Sequence, residues 1–189
     1  MPSTAAPYGF KPSWHPSGQI RPRALVGGIS TAYANTILQY QPVLITTAGV
    51  LNEVTVAADF VGVFAGVEYT PTGGRPVVSN MWVGGTSFVA GSLTAYYYED
   101  PLIQYQCQSS ATLAATAVGD QADELSFTAG STTTGLSAAT LGTLVGVGVQ
   151  GMFRIESLVP SVDNAWGDTY VDVLVSIARH QYISNKVAI

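Results

Sequence analysis

An all-β fold, a jelly-roll, barrel or tulip-like body with an extended N-terminal arm, is the architecture that this sequence of 189 residues predicts. Three observations lead there. Apolar residues alternate with a period of two, most clearly at Val171, Val173, Val175 and Ile177, whereas no long segment shows helical spacing. Turn signals recur along the chain at Ala48-Gly49, Thr72-Gly73-Gly74-Arg75-Pro76, Gly84-Gly85 and Gly167. No internal repeat of a solenoid or propeller is present.

The first element is a basic segment over residues 1–23. Pro2, Pro7, Pro12 and Pro16 each fix φ and favour extended backbone, so the segment reads as an arm. Tyr8, Phe10 and Trp14 would be wasteful in a solvated tail and are expected to anchor in apolar clefts of a partner. Lys11, Arg21 and Arg23 precede the first acid of the chain and are expected to pair with acids on a neighbour. Removing residues 1–23 is therefore expected to leave the remaining domain, 24–189, folded.

From residue 24 onward the pattern is β. Val61, Val63, Ala65, Val67 and Tyr69 alternate with Gly62, Phe64, Gly66 and Glu68, and apolar groups on both faces predict burial on both sides. Residues 169–177 form the clearest strand. Further strands are expected at 24–29, 42–46, 52–57, 77–83, 93–99, 102–108, 124–128, 143–149 and 151–158. Ser109 to Val118 is Ala-rich enough for a few helical turns at most, and Gly130 to Gly142 reads as a surface loop.

Composition narrows the function. Seven Lys+Arg and twelve Asp+Glu make 10% of the chain charged, and 47% is hydrophobic, with a mean hydropathy of +0.28. Average soluble domains carry about 25% charge. A compact monomer of this mass exposes roughly 8,600 Å², so its surface would be sparsely charged, and covering by partner subunits is the simplest expectation. Cys107 is the single cysteine, which excludes an intrachain disulfide framework. Neither a signal peptide nor a transmembrane helix is expected, because the apolar stretches are interrupted well short of a bilayer span. Three cations beside an acidic body argue against nucleic acid.

The chemical motifs each have a plainer reading. Gly146-Val147-Gly148-Val149-Gln150-Gly151 matches a dinucleotide fingerprint, but a strand pattern follows it where a helix is required. His15, His180 and Cys107 have no zinc spacing, and no serine-nucleophile elbow occurs. Glu99 and Asp100 follow Tyr96-Tyr97-Tyr98, a combination that could hold a sugar ring together with Trp166, but neighbours on a strand face opposite ways. Asp163 to Asp168 has oxygen ligands for Ca²⁺ without the spacing of a calcium loop, and an Asx turn accounts for it. No cofactor, metal or small-molecule substrate is expected.

Several stretches together resemble the head decoration, or cement, proteins of tailed bacteriophages. They are Pro7-Tyr8-Gly9-Phe10-Lys11-Pro12 with His15-Pro16-Ser17-Gly18-Gln19, Tyr98-Glu99-Asp100-Pro101 with Tyr105-Gln106-Cys107-Gln108, Thr134-Gly135-Leu136-Ser137, Asp163 to Asp168, and His180-Gln181-Tyr182. The resemblance spans about residues 7–182. Phe10-Lys11-Pro12 stands where a typical relative has Leu-Arg-Pro, which leaves the partner surface open. The resemblance implies a non-enzymatic protein on the outer capsid surface of the virion, trimeric, bridging major capsid protein subunits. Another virion subunit of the shell, tail or head fibre, and a carbohydrate-binding β-sandwich using Tyr96, Tyr98 and Trp166, are the alternatives.

Overall fold

The computed structural model describes residues 4–183. Its strands are β1 (Lys11–Trp14), β2 (Arg23–Val26), β3 (Pro42–Ile45), β4 (Leu51–Glu53), β5 (Gly62–Tyr69), β6 (Val77–Ser79), β7 (Thr94–Tyr98), β8 (Gln104–Gln108), β9 (Gln121–Leu125), β10 (Gly130–Ser131), β11 (Leu136–Ser137), β12 (Thr140–Leu144), β13 (Phe153–Leu158) and β14 (Asp172–Ile177). The fold is all-β, and every pairing between these strands is antiparallel.

Two six-stranded sheets divide the chain by halves. Residues 23–98 build one sheet in the order β2-β7-β5-β3-β4, with β6 on β5; call it the N-terminal sheet. The other, the C-terminal sheet, runs β1-β8-β14-β13-β9-β12. Among the described residues neither sheet closes on itself, so the barrel among the expected architectures is corrected to open sheets packed face to face.

Alternation places the core. Tyr105 and Cys107, Phe153 and Ile155, and Val173 and Val175 point from the C-terminal sheet into one cluster, which Val63, Val54 and Phe60 complete from the opposite side. Phe64, Val67, Ala95 and Tyr97 face the other way, into a second cluster closed by Ile29, Ile37, Trp82 and Leu93 from connecting segments. β5 is thus covered on both faces, as its apolar groups on both sides require. Gly62 lets β5 pass the neighbouring backbone, since a Cβ there would lie 1.8 Å from the Tyr98 carbonyl oxygen.

Each end of the chain belongs to the sheet of the other half. β1 pairs with β8 at the edge of the C-terminal sheet. Phe10, fully buried, stacks on Phe153 with ring centroids 4.1 Å apart and planes 2° from parallel. In return, His180 bridges to Phe60, and the Gln181 amide holds the backbone of Ile45, accepting from its N–H at 2.8 Å and donating to its carbonyl at 3.0 Å.

Other sequence expectations shift for local reasons. The expected 143–149 strand is β12 followed by a turn: the N–H of Val149 reaches Gly146 O, and Gly148 takes a positive φ of 77° that glycine tolerates. The fingerprint glycines therefore lie in a turn on the connection that passes from β12 to β13, which flank β9 on opposite sides. The helical turns expected near Ser109 to Val118 reduce to one 3₁₀ turn, Ala115–Ala117. The Gly130 to Gly142 segment is docked, not free: Gln39 N donates to Gly135 O and Ser137 N to Gln39 O, with Ser137 and Ala139 buried.

Candidate functional site

β1 is an edge strand that carries Lys11 and Trp14 of the expected partner-binding residues, with Tyr8 and Phe10 just before it. Lys11 and Trp14 both point outward because a register shift between Pro12 and Trp14 resets the alternation. Lys11 and Tyr8 line a cleft of about 360 Å³ with Gln39, Tyr40, Gln106 and Leu136. Burial, and next the Asp172 carboxylate, push the Tyr8 hydroxyl well above its ordinary range. Trp14, about half exposed, lines a larger cleft of about 690 Å³ on the outer face of the C-terminal sheet.

Two expected anchors are redirected. Phe10 cannot fill a partner's cleft, because it already fills the chain's own core against Phe153. That expectation is withdrawn, and with it the idea that residues 1–23 can be removed without cost to the fold. Arg23 is exposed but hydrogen-bonds to Glu99 of its own chain. Glu99 also accepts from the Tyr97 hydroxyl at 2.9 Å. Arg21 and Lys11 are exposed and have no ion pair among the described residues.

The larger cleft is built by register. Trp14 on β1 stands opposite Gln104 on β8, Gln104 opposite Ser176 on β14, Ser176 opposite Arg154 on β13, and Arg154 opposite Gln121 on β9. One row of side chains thus crosses five strands, and all five line the cleft. At about 4.8 Å per strand the row is roughly 19 Å long. Glu156, two residues beyond Arg154 on the same face, receives Arg154 Nε at 3.0 Å and Nη2 at 2.6 Å on Oε1, which also accepts from Ser176 Oγ. Gln121 Oε1 accepts from Gln150 Nε2 and Gly151 N, closing one end.

The walls are apolar. Pro16, Pro101, Leu102, Ile177 and Ile183 stand around this polar floor. His15 holds two of them in place: its Nδ1 accepts from Ser17 N at 3.1 Å, and its Nε2 lies 3.2 Å from Asp100 Oδ2. Asp100 Oδ1 in turn accepts from Leu102 N at 2.9 Å, an Asx turn that sets the Pro101–Leu102 corner.

The remaining sequence candidates are structural. Tyr97 is buried, while Tyr98 and Trp166 pack against the core, so the expected aromatic strip is not an open platform. The buried His180 donates from Nε2 to Glu99 O at 2.8 Å, and its Nδ1 accepts from Tyr182 N. Asn164 ties its loop down, with Nδ2 donating to Val159 O and Asp172 O, and Oδ1 accepting from Asp172 N. Among the described residues no group of three or more His, Cys, Asp or Glu is placed to hold a metal ion.

Surface chemistry completes the description. The accessible area is 8,950 Å², close to that of an ordinary compact monomer, so the few charges are spread over a surface of normal size. Val26 on β2, Val78 on β6, Val147 in the turn after β12 and Val162 are all more than three-quarters exposed. The fold and clefts define a class: an all-β sandwich with a charge-poor exterior, exposed sheet edges and surface grooves. No protein-family model, curated protein or solved structure matches the chain.

Proposed function

We propose that this chain is a non-enzymatic structural protein of the virion, bound to the outside of a bacteriophage capsid, where it stabilises the shell by bridging major capsid protein subunits. It acts as a homo-oligomer, with a trimer favoured. The observation that carries the reading is the exterior: valines lie open at Val26, Val78, Val147 and Val162 on a surface only sparsely charged. Isolated apolar residues are ordinary on any protein. Here they coincide with a charge content less than half the usual value, which favours an exterior that other chains cover.

Docking falls to the groups β1 and its flanks leave available, namely Lys11, Trp14 and Arg21, and to the unpaired edges of β1 and β2. Free edges offer backbone hydrogen bonds to a neighbour. Many identical weak contacts around a shell then act together, so modest affinity per copy suffices.

The test is reconstitution. Purified protein is mixed with expanded phage heads that lack it, and copy number and resistance to heat are measured. Saturable binding that raises head stability, weakened by Val78→Asp or Arg21→Glu, is expected. A strictly monomeric protein at high concentration that neither binds nor stabilises the heads overturns the reading.

A further inference from the structure

We propose that the cleft crossing β1, β8, β14, β13 and β9 binds a neutral glycan, an oligosaccharide lying across the strands with one pyranose ring against the Trp14 indole. The cleft shares Trp14 with the groups proposed for docking, and its other residues belong neither to that set nor to the Tyr96, Tyr98 and Trp166 strip.

Charge decides the ligand class first. The floor carries one cation, Arg154, and one anion, Glu156, and they neutralise each other through a fork of two hydrogen bonds. A phosphate or an acidic peptide would meet the Glu156 carboxylate beside Arg154, and a cation would meet the guanidinium beside Glu156, so a charge of either sign is offset by its opposite. An uncharged ligand leaves the fork intact.

Hydrogen-bonding capacity decides next. Glu156 Oε2 and Arg154 Nη1 have no hydrogen-bond partner among the described residues, and neither does the Gln104 amide. The floor therefore presents a carboxylate acceptor, guanidinium donors and an amide that does both, side by side at strand spacing. Hydroxyl groups both donate and accept, so a row of them satisfies this mixed set where a purely accepting or purely donating ligand cannot.

Shape completes the match. A pyranose ring has an apolar C–H face as well as its hydroxyls. Trp14 offers an exposed aromatic surface at one end of the row, with Pro16, Pro101 and Leu102 beside it. Apolar walls around a few placed polar groups are the usual make-up of a binding groove for an organic ligand. At roughly 19 Å the row suits a short chain of sugars rather than a single ring. Glu156 is the one carboxylate among the lining residues, whereas glycoside hydrolysis ordinarily uses two, so the cleft is assigned binding and not cleavage.

The test uses the full chain. Its migration is followed in native gels containing soluble neutral polysaccharides, namely hydroxyethylcellulose, xylan, galactomannan and glycogen. Hits are then titrated with the matching hexasaccharide by calorimetry. Retardation by at least one polysaccharide is expected. Trp14→Ala and Gln104→Ala should each weaken binding tenfold or more without moving the urea midpoint, Trp14→Phe should recover part of it, and Val78→Asp should change nothing. No retardation by any of the four overturns the proposal, as does binding that survives both cleft substitutions. Self-association lost in Trp14→Ala, with no glycan effect, would instead make the cleft an interface between copies and would equally overturn it.

Discussion

Glu124 gives this protein an unusual dependence on pH. It lies on β9 two residues after Ala122, so it points into the sandwich, where it is 3% exposed and neither carboxylate oxygen has a hydrogen-bond partner among the described residues. Burial alone pushes its pKa well above the ordinary 4.5, because the charged form loses its water and gains nothing in return. The folded state therefore holds a proton that the unfolded chain gives up near pH 4.5. Stability from this group is fully present below that pH and is lost as pH rises toward the folded value, by about 1.4 kcal/mol per unit. Each pH unit over which the folded carboxyl keeps its proton costs on the order of 1 kcal/mol, an appreciable share of the 5–15 kcal/mol typical of a domain. Urea unfolding of the native chain and of Glu124→Gln across pH 4.5–7.5 reads this directly. The two should coincide at the acid end and diverge steadily above it, with Glu124→Gln the more stable. Glu124→Leu, which also removes the unsatisfied polar atoms, should exceed both by about 1–3 kcal/mol at the acid end. Parallel pH profiles for the native chain and Glu124→Gln would refute the reasoning. Asp172, half-buried and likewise raised chiefly by desolvation, acts in the same direction and is retained in every variant.

Two further outcomes follow from the core. Phe10→Ala should cost about 3–5 kcal/mol and shift thermal unfolding accordingly, since the ring is fully buried against Phe153; an unfolding temperature within error of the native chain would mean that this segment is not part of the core in solution. Cys107 is fully buried and its thiol is pushed well up, first by desolvation and then by Asp172 and Glu124. Labelling with a disulfide reagent at pH 8 should proceed only at the rate of unfolding, and a stoichiometric burst in native buffer would contradict this burial.

What could be read from the sequence was whatever repeats locally. The alternation Val171-Val173-Val175-Ile177 needs no partner to be visible, and the strand it marks is present; the same holds for β5, where apolar residues on both faces signal two buried sides. β1 was not legible, because Pro12 and a register shift break its alternation and its partner β8 lies some ninety residues away. Phe10 looked like an anchor for another molecule for the same reason: a lone aromatic among prolines carries no period to say that its cleft is Phe153 of its own chain. At 130–142 the small residues left open whether the segment is an exposed tip or orders against a neighbour, and a backbone ladder to Gln39 holds it down within its own chain.

The polar cleft was illegible for a deeper reason, which also bears on how it can be tested. Its five row members come one from each strand, in the chain order Trp14, Gln104, Gln121, Arg154 and Ser176, but in the spatial order Trp14, Gln104, Ser176, Arg154, Gln121. Only pairing register sets that order, and a slip of one residue in any strand would turn its member to the core. The inward neighbours Tyr105, Val175, Ile155 and Ala122 therefore secure the cleft as firmly as its own polar groups do, because each fixes its strand's phase by burial. Substitutions confined to the outward row, such as Gln104→Ala, leave that phase untouched. A loss of binding in Gln104→Ala at an unchanged urea midpoint thus reports on ligand contact, whereas a truncation through β1 would remove Trp14 and Phe10 together and confound binding with folding.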